Sequence, residues 1–212
     1  MSYKLTYFDT EGIAEPIRLL FAYAEQPFED VRLPKDDFWP KLRPEVKSQF
    51  TWGTIPVLEL SDHPGQMISQ SMAIARFLAK RFNLVGDNDF ESAKCDELCD
   101  ALKDYVSTAW SGILHETDPA KRAARFQTAL TVETPKTFGK LNEILLANGG
   151  TWLVGNRLSW TDLLLAHTNR SLQKHLGDKA DLTAGYPALK AHSENVFNIP
   201  TIKAYVDKRD SK

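Results

Sequence analysis

The stretch YKLTYFDTEGIAEPIRLLFAYAE, residues 3–25, decides the architecture of the first part of the chain. Its opening residues, Tyr3 to Phe8, alternate in character and are rich in aromatic side chains, which predicts a β-strand. Turn-forming residues follow, and between Ala14 and Glu25 apolar side chains recur at helical spacing. Pro16 suits the first turn of a helix, where a missing N–H loses no hydrogen bond. The segment therefore predicts a strand, a turn and an amphipathic helix.

Three more strands and a second helix extend this pattern. A strand is predicted at Phe28 to Leu33, and a polar, proline-marked stretch follows it. Two strands joined by a hairpin turn are predicted at Thr54 to Leu60 and at Gln66 to Ser69, before a helix at Ser71 to Phe82. This order of elements within about eighty residues predicts a mixed α/β domain.

The rest of the chain carries helical patterns and lacks strand signals. The predicted helices are Phe90 to Leu114, Pro119 to Ala147, Ser159 to Gly177, Tyr186 to Phe197 and Ile199 to Lys208. We therefore expect an α/β domain over residues 1–82, a linker over 83–88 and an all-helical domain over 89–212.

Composition excludes several classes of protein. The 212 residues are 42% hydrophobic and 25% charged, which is typical of a soluble globular protein. Lys and Arg number 26 and Asp and Glu number 28, so the net charge of −2 argues against nucleic-acid binding. No apolar run is long enough to span a membrane, and no signal peptide is recognisable. We expect a reduced, cytoplasmic protein without a disulfide framework.

Two motifs are predicted to be structural. The sequence Ser159-Trp160-Thr161-Asp162 has the spacing of a capping box, in which Ser159 caps a helix and Asp162 reaches back to it. Cys95 and Cys99 stand four residues apart on a helix and are expected to be small buried thiols, because no histidine at metal-site spacing accompanies them.

Local motifs are more specific than the order of elements. They are Tyr3 to Phe8 with Glu15-Pro16-Ile17-Arg18, Gly53 to Glu59, Gln70 to Leu78, Leu158 to Asp162, and Ile199 to Tyr205. Together they resemble the cytosolic glutathione transferases of the sigma class over nearly the whole chain. The resemblance implies an α/β thioredoxin-like N-terminal domain, an all-α C-terminal domain, a homodimer and glutathione as cosubstrate.

The resemblance assigns the chemistry to Tyr7. A thiol must ionise before it attacks an electrophile, and a free thiol has a pKa of about 8.5. A positioned hydroxyl that donates a hydrogen bond to the sulfur favours the thiolate. Tyr7 stands at the end of the first predicted strand and is expected to donate this bond, with no covalent intermediate on the enzyme.

The same resemblance predicts how glutathione is held. Ser71 is expected to cap the helix that follows Gln70, and the helix N-terminus to bind the γ-glutamyl carboxylate. Ile55 is expected to precede a cis proline, Pro56, and to pair its backbone with the cysteinyl part. The other predicted contacts are Trp39 to the glycyl end, Arg43 to the glycyl carboxylate, and Asp104 to the α-amino group of glutathione in the neighbouring subunit.

Three positions depart from the pattern of the family. Relatives commonly carry arginine at the positions of Glu11 or Ile13, and a basic or amide residue at the position of Thr54. A carboxylate at Glu11 opposes a thiolate if the two lie close. These departures are expected to weaken glutathione binding or thiol activation, and they argue against a role specific to prostaglandins.

An apolar pocket for the electrophile is also implied. Its predicted wall is Phe8, Ile13, Val106, Trp110, Ser111 and Leu164. Trp52 is either a buried core side chain or an aromatic anchor for the partner subunit. No metal site is predicted, because Lys103 interrupts the acidic face that Asp100 and Asp104 share.

Three functions stay open at this stage. The first is transfer of glutathione to hydrophobic electrophiles, as in detoxification. The second is isomerisation of prostaglandin H to prostaglandin D with glutathione as cofactor. The third is a weakly active ligand-binding protein of the same fold. A disulfide reductase is excluded, because no cysteine precedes Cys95.

Overall fold

Four strands form one mixed sheet in the first part of the chain. The computed structural model describes residues 2–34, 44, 48–177 and 180–211. The strands are β1 (Tyr3–Phe8), β2 (Glu29–Leu33), β3 (Val57–Leu60) and β4 (Met67–Ser69), in the order β2-β1-β3-β4. β1 is parallel to β2 and antiparallel to β3, and β3 is antiparallel to β4. The predicted α/β arrangement is confirmed, although β3 begins after Pro56, which has no N–H to donate to a ladder.

The first part of the chain also contains two helices, one between β1 and β2 and one after β4. A short 3-10 turn (Gly12–Ala14) leads into α1 (Glu15–Tyr23), and α2 (Ser71–Arg81) follows β4. α1 packs against α2 and buries Ile17, Leu20 and Phe21. The predicted face of α1 is therefore the buried one.

The chain divides into two compact units that differ from the expected domains at the C-terminus. The first unit comprises residues 1–84 together with 199–212, and the second comprises residues 85–198. The last helix, α9 (Pro200–Asp210), packs against α1, where Tyr205 and Arg209 contact the buried carboxylate of Glu15. Local sequence patterns place this helix with residues 89–198, because its charge partners are distant in sequence and carry no local signal.

The second unit is helical in every element that the structure describes. Its helices are α3 (Asp89–Tyr105), α4 (Gly112–His115), α5 (Pro119–Thr128), α6 (Thr134–Ala147), α7 (Trp160–Leu176) and α8 (Pro187–Phe197). π-helical turns at Val106–Ser111 and Ala129–Glu133 interrupt the two longest predicted helices. Serine and threonine hydroxyls bond back to carbonyls four residues earlier near both turns, as Thr108 does to Asp104 at 2.7 Å and Thr131 to Gln127 at 2.8 Å. Such bonds compete with the helical ladder.

The predicted capping box is confirmed at the start of α7. The Asp162 carboxylate accepts hydrogen bonds from the Ser159 N–H at 2.8 Å and from the Ser159 hydroxyl at 2.9 Å. It also accepts the Leu153 N–H at 2.9 Å and lies 2.8 Å from His192 Nε2. Because Asp162 is fully buried, this cluster anchors α7 to α8 and to the preceding loop.

Two other sequence features have clear outcomes. Cys95 and Cys99 are both buried on α3, as predicted. Across the described ranges, every helix is too short or too polar to cross a membrane.

Candidate active site

Tyr7 lies near the carboxyl end of β1, inside a buried cluster. Its side chain is only 8% exposed and packs with Ala14, Ile55 and Val57. The ring of Phe8 meets it edge to face, with ring centroids 5.4 Å apart. The cluster leaves the ring little freedom to move, so the direction of the hydroxyl is determined by the fold.

The 3-10 turn after β1 surrounds the hydroxyl of Tyr7. The backbone of Ile13 acts on the phenol as a hydrogen-bond donor does, which lowers the pKa of Tyr7. Gly12 has φ +46°, and a Cβ at this position would lie 2.7 Å from the hydroxyl oxygen and 3.1 Å from a ring carbon. A glycine is therefore required here both by its backbone conformation and by the closeness of the phenol.

The electrostatic surroundings keep Tyr7 a hydrogen-bond donor at neutral pH. Burial raises the pKa of the phenol above its ordinary value of 10.0, while the Ile13 N–H and the positive charge of Arg18 oppose that rise. The guanidinium carbon of Arg18 lies 5.9 Å from the centre of the ring. The phenol therefore stays protonated, and the positive charge of Arg18 near the ring favours an anion at the hydroxyl.

The predicted cis proline is confirmed. The bond between Ile55 and Pro56 is cis, and Ile55 is buried in the same cluster as Tyr7. Both residues immediately precede β3. The backbone that the resemblance assigns to the cysteinyl part of glutathione therefore lies beside the tyrosine assigned to its sulfur.

The start of α2 differs from the expected cap. Ser71 is the first residue of the helix, and Gln70 occupies the cap position with φ 75° and without a side-chain capping bond. The expectation that Ser71 caps the helix is therefore wrong. The first helical bond at this end joins the Ile74 N–H to the Gln70 carbonyl at 3.0 Å. The N–H groups of the first turn precede that bond and have no earlier helical carbonyl to bond, as an anion site requires.

Three other glutathione contacts are predicted, at Trp39, Arg43 and Asp104. Trp39 and Arg43 lie outside the residues that the structure describes. Asp104 is exposed on α3 in the second unit, and its carbonyl accepts the hydroxyl of Thr108. Asp104 therefore remains a prediction.

The predicted electrophile wall is distributed over both units. In the first unit Phe8 is half-buried, and Ile13 is 55% exposed. In the second unit Val106, Trp110 and Ser111 share one π-helical turn, and Leu164 is half-buried on α7. Trp110 is buried and meets the ring of Phe126 edge to face at 6.2 Å. The six residues stay a prediction.

The structure excludes one of the two interpretations of Trp52. Its side chain is 69% exposed in the first unit. The interpretation as a buried core side chain is therefore wrong, and the interpretation as an interface anchor stays open.

Sequence reasoning missed two residues near Tyr7. Gly12 was treated only as part of a turn, although a glycine directly after a strand and its turn is a signal for a special backbone conformation. Arg209 lies just beyond the last predicted helix, which ends at Lys208, and has no predicted role, yet it contacts both Glu11 and Glu15 at the turn beside Tyr7. No local pattern reveals such a contact.

Comparisons with known proteins agree with this geometry. The sequence profile described as "Glutathione S-transferase, N-terminal domain" matches residues 3–80, and that described as "Glutathione S-transferase, C-terminal domain" matches residues 103–209. The chain is 36% identical over 211 residues to "Probable glutathione S-transferase 5" of Caenorhabditis elegans, covering 99% of this chain and 97% of that one.

Solved structures extend the likeness. A structure titled "Structure of prostaglandin synthase D of Nilaparvata lugens" superposes with a TM-score of 0.86 at 34% identity, covering 99% of this chain and 98% of the other. A structure of "monomeric Na-GST-3" from the hookworm Necator americanus has a TM-score of 0.83 at 35% identity, covering 99% and 98%. Because profiles, relatives and fold agree over nearly the full length, this chain belongs to the glutathione S-transferase family, whose enzymes are transferases that use glutathione as cosubstrate.

Proposed function

We propose that this chain is a cytoplasmic sigma-class enzyme that joins glutathione to hydrophobic electrophiles in detoxification. The observation that carries the proposal is the Tyr7 hydroxyl, which the Ile13 N–H and the close approach of Gly12 hold at the end of β1. A phenol so placed is a ready donor for a thiolate.

The proposed chemistry needs only stabilisation of the sulfur anion. Lowering a thiol pKa by about two units requires about 2.7 kcal/mol. A hydrogen bond from Tyr7 to a charged sulfur supplies about 1.5–3 kcal/mol of this. The thiolate then attacks the electrophilic carbon, a carbon–sulfur bond forms, and the leaving group departs with the bonding electrons. The thiol proton passes to solvent.

Glutathione is proposed to bind to the backbone of Ile55, before β3, and to the first residues of α2. The backbone of Ile55, before the cis Pro56, pairs with the cysteinyl part, and the N-terminus of α2 at Gln70 and Ser71 binds the γ-glutamyl carboxylate. The remaining proposed contacts are Trp39 and Arg43 at the glycyl end and Asp104 from the neighbouring subunit.

The proposed assembly is a homodimer. The large exposed side chain of Trp52 supports it, because aromatic anchors of this kind are frequent at the centre of interfaces. One structural relative is described as monomeric. Light scattering of the purified chain distinguishes the two states, and a monomeric mass overturns this part of the proposal.

A second candidate function is isomerisation of prostaglandin H to prostaglandin D. It is favoured by the relative described as a prostaglandin synthase D. The two candidates share the thiolate and differ in the substrate, so the conversion of prostaglandin H by the wild-type enzyme separates them.

The experiment that tests the proposal compares the wild-type enzyme with Tyr7→Phe. Glutathione binding is measured by calorimetry, and conjugation of a chlorodinitrobenzene by absorbance. We expect the wild type to bind and to turn over, and Tyr7→Phe to bind with most of its rate lost. Tyr23→Phe is the matched control, because Tyr23 lies half-buried on α1 outside the proposed site, and its rate is expected to stay at the wild-type level.

Two outcomes contradict the proposal. If the wild-type enzyme binds glutathione without turnover, the chain is a binding protein of this fold. If Tyr7→Phe conjugates at the wild-type rate, the phenol is not the group that activates the thiol.

A further inference from the structure

A group of charged side chains surrounds the turn beside Tyr7. Glu15 and Arg18 are fully buried and are joined at 3.2 Å. Arg18 also donates to the carbonyl of Thr10 at 2.8 Å and to Asp30 at 3.2 Å. Buried charges of this kind persist only when each is paired, so the arrangement is strongly specified.

Arg209 brings α9 into this group. Its guanidinium donates to the Glu15 carboxylate, and another of its nitrogens lies 3.7 Å from the Glu11 carboxylate. The side chain of Arg209 is 9% exposed, and that of Glu11 is 22% exposed. The hydroxyl of Tyr205, one turn earlier on α9, donates to Glu15 at 3.0 Å. Arg209 is thus held in place and largely shielded from water.

The two acids that Arg209 contacts lie at the two ends of the turn that holds the Tyr7 hydroxyl. Glu11 precedes Gly12, and Glu15 follows Ala14. The N–H of Glu15 donates to the carbonyl of Glu11 at 3.1 Å, which closes the turn. One guanidinium therefore hydrogen-bonds Glu15 at one end of this turn and lies within ion-pair distance of Glu11 at the other, while it also pairs with Asp210 at 2.9 Å.

The negative charge of Glu11 disfavours the thiolate that the proposed chemistry requires. Glu11 directly precedes Gly12, where an added Cβ would lie 2.7 Å from the Tyr7 hydroxyl, so an unpaired carboxylate here opposes an anion at that hydroxyl. Arg209 offsets this charge. Among the described residues, the other titratable groups of this ion network pair with one another or with Arg209; they are Asp9, Glu15, Arg18, Asp30, Arg32, Tyr205 and Asp210.

We propose that Arg209 is a positioning residue for glutathione activation: it binds Glu15 at one end of the turn beside the Tyr7 hydroxyl and offsets the charge of Glu11 at the other end. The proposal rests on the proposed function for the thiolate, whereas the effect on Tyr7 itself needs no glutathione. Arg209 is not proposed to touch glutathione.

The first test is a titration of the bound glutathione thiol, followed by the ultraviolet absorbance of the thiolate. In Arg209→Met we expect the thiolate fraction at a pH below the wild-type midpoint to fall by about 3- to 10-fold, with a matching fall in kcat/KM. In the double variant Glu11→Gln with Arg209→Met, we expect at least half of that loss to be recovered, because the opposing charge is gone. A role of Arg209 in stability alone predicts no recovery.

Lys203→Met is the matched control on the same helix. Lys203 pairs with Asp207 at 2.6 Å on the exposed side of α9. The variant therefore removes one positive charge from α9 without changing a residue that contacts the turn. We expect its thiol titration to match the wild type. A shift equal to that of Arg209→Met attributes the effect to net charge and overturns the proposal.

A second readout keeps the test independent of glutathione. With 3-fluorotyrosine at position 7, fluorine NMR of the free enzyme follows the phenol titration directly. We expect Arg209→Met to raise this midpoint and the added Glu11→Gln to lower it again. If the wild type fails to bind glutathione, the proposed function fails, but the phenol titration still tests the role of Arg209. If the midpoint of the Tyr7 phenol titration is unchanged in Arg209→Met, only the proposal for Arg209 fails.

Variants that retain more of the ion network cover the case in which Arg209→Met does not fold. Glu11→Gln changes a partly exposed side chain and leaves Arg209 its contact with Glu15. It is expected to lower the midpoints of both the phenol and the bound thiol. Arg209→Lys, which retains the charge, is expected to keep most of the wild-type thiolate fraction. An unchanged midpoint in Glu11→Gln contradicts the proposal.

Discussion

Replacing Gly12 by alanine tests whether the turn holds the Tyr7 hydroxyl. At φ +46°, a Cβ at this position would lie 2.7 Å from the hydroxyl oxygen and 3.3 Å from the ring carbon that bears it. Distances below 3.0 Å are not tolerated, so either the turn or the phenol must move. Tyr7 is buried in a packed cluster and cannot swing aside freely.

The cost has two parts that separate variants can measure. The left-handed backbone of an alanine costs about 1–2 kcal/mol. Forcing extra volume into a packed site costs about 1–3 kcal/mol more. We therefore expect Gly12→Ala to lower the free energy of unfolding by about 2–5 kcal/mol. Displacement of the hydroxyl is expected to lower the conjugation rate by about 10- to 100-fold.

Gly65→Ala is the matched control. Gly65 has φ +75°, and a Cβ there meets nothing within 4 Å, so this variant measures the backbone cost alone. Urea denaturation gives the two free energies of unfolding, and the chlorodinitrobenzene assay gives the rates. If Gly12→Ala and Gly65→Ala lose equal stability and keep equal rates, the close approach to Tyr7 has no consequence and the reasoning is refuted.

Two further predictions concern the second unit. Asp162→Ala leaves the buried N–H groups of Leu153 and Ser159 and the ring of His192 without their partner. We therefore expect urea denaturation to show a free energy of unfolding lower by about 3–5 kcal/mol, against about 1 kcal/mol for Ser159→Ala. Equal losses would contradict the shared role of the carboxylate. Burial raises the pKa of the Tyr105 phenol above 10.0, so its contribution to stability is complete below pH 10 and is lost as the pH rises through the native pKa. Tyr105→Phe is expected to make the fall in stability above pH 10 shallower, and an unchanged slope argues against this.

Much of the first unit follows from local patterns in the sequence. β1 has the predicted bounds, Tyr3 to Phe8, because alternation and aromatic content act within the segment itself. The place of Tyr7 at the end of β1 follows from the strand pattern, and the cis bond before Pro56 is expected from the family resemblance that the short motif around it carries. Such features need no knowledge of distant contacts.

Features that depend on geometry or on distant partners were not predictable. The π-helical turns at Val106–Ser111 and Ala129–Glu133 interrupt segments whose apolar periodicity continues across them. The cap of α2 depends on the backbone conformation of Gln70, which composition does not reveal. The contact of Arg209 with Glu11 joins opposite ends of the chain, and the departure at Glu11 therefore looked uncompensated from sequence alone.

The most direct test of the account is the pKa of the glutathione thiol bound to the wild-type enzyme and to Tyr7→Phe. The account predicts a thiol pKa about two units below the value of about 8.5 of a free thiol in the wild type, and a return toward that value in Tyr7→Phe. Equal pKa values in the two enzymes would contradict the claim that the buried Tyr7 hydroxyl activates glutathione.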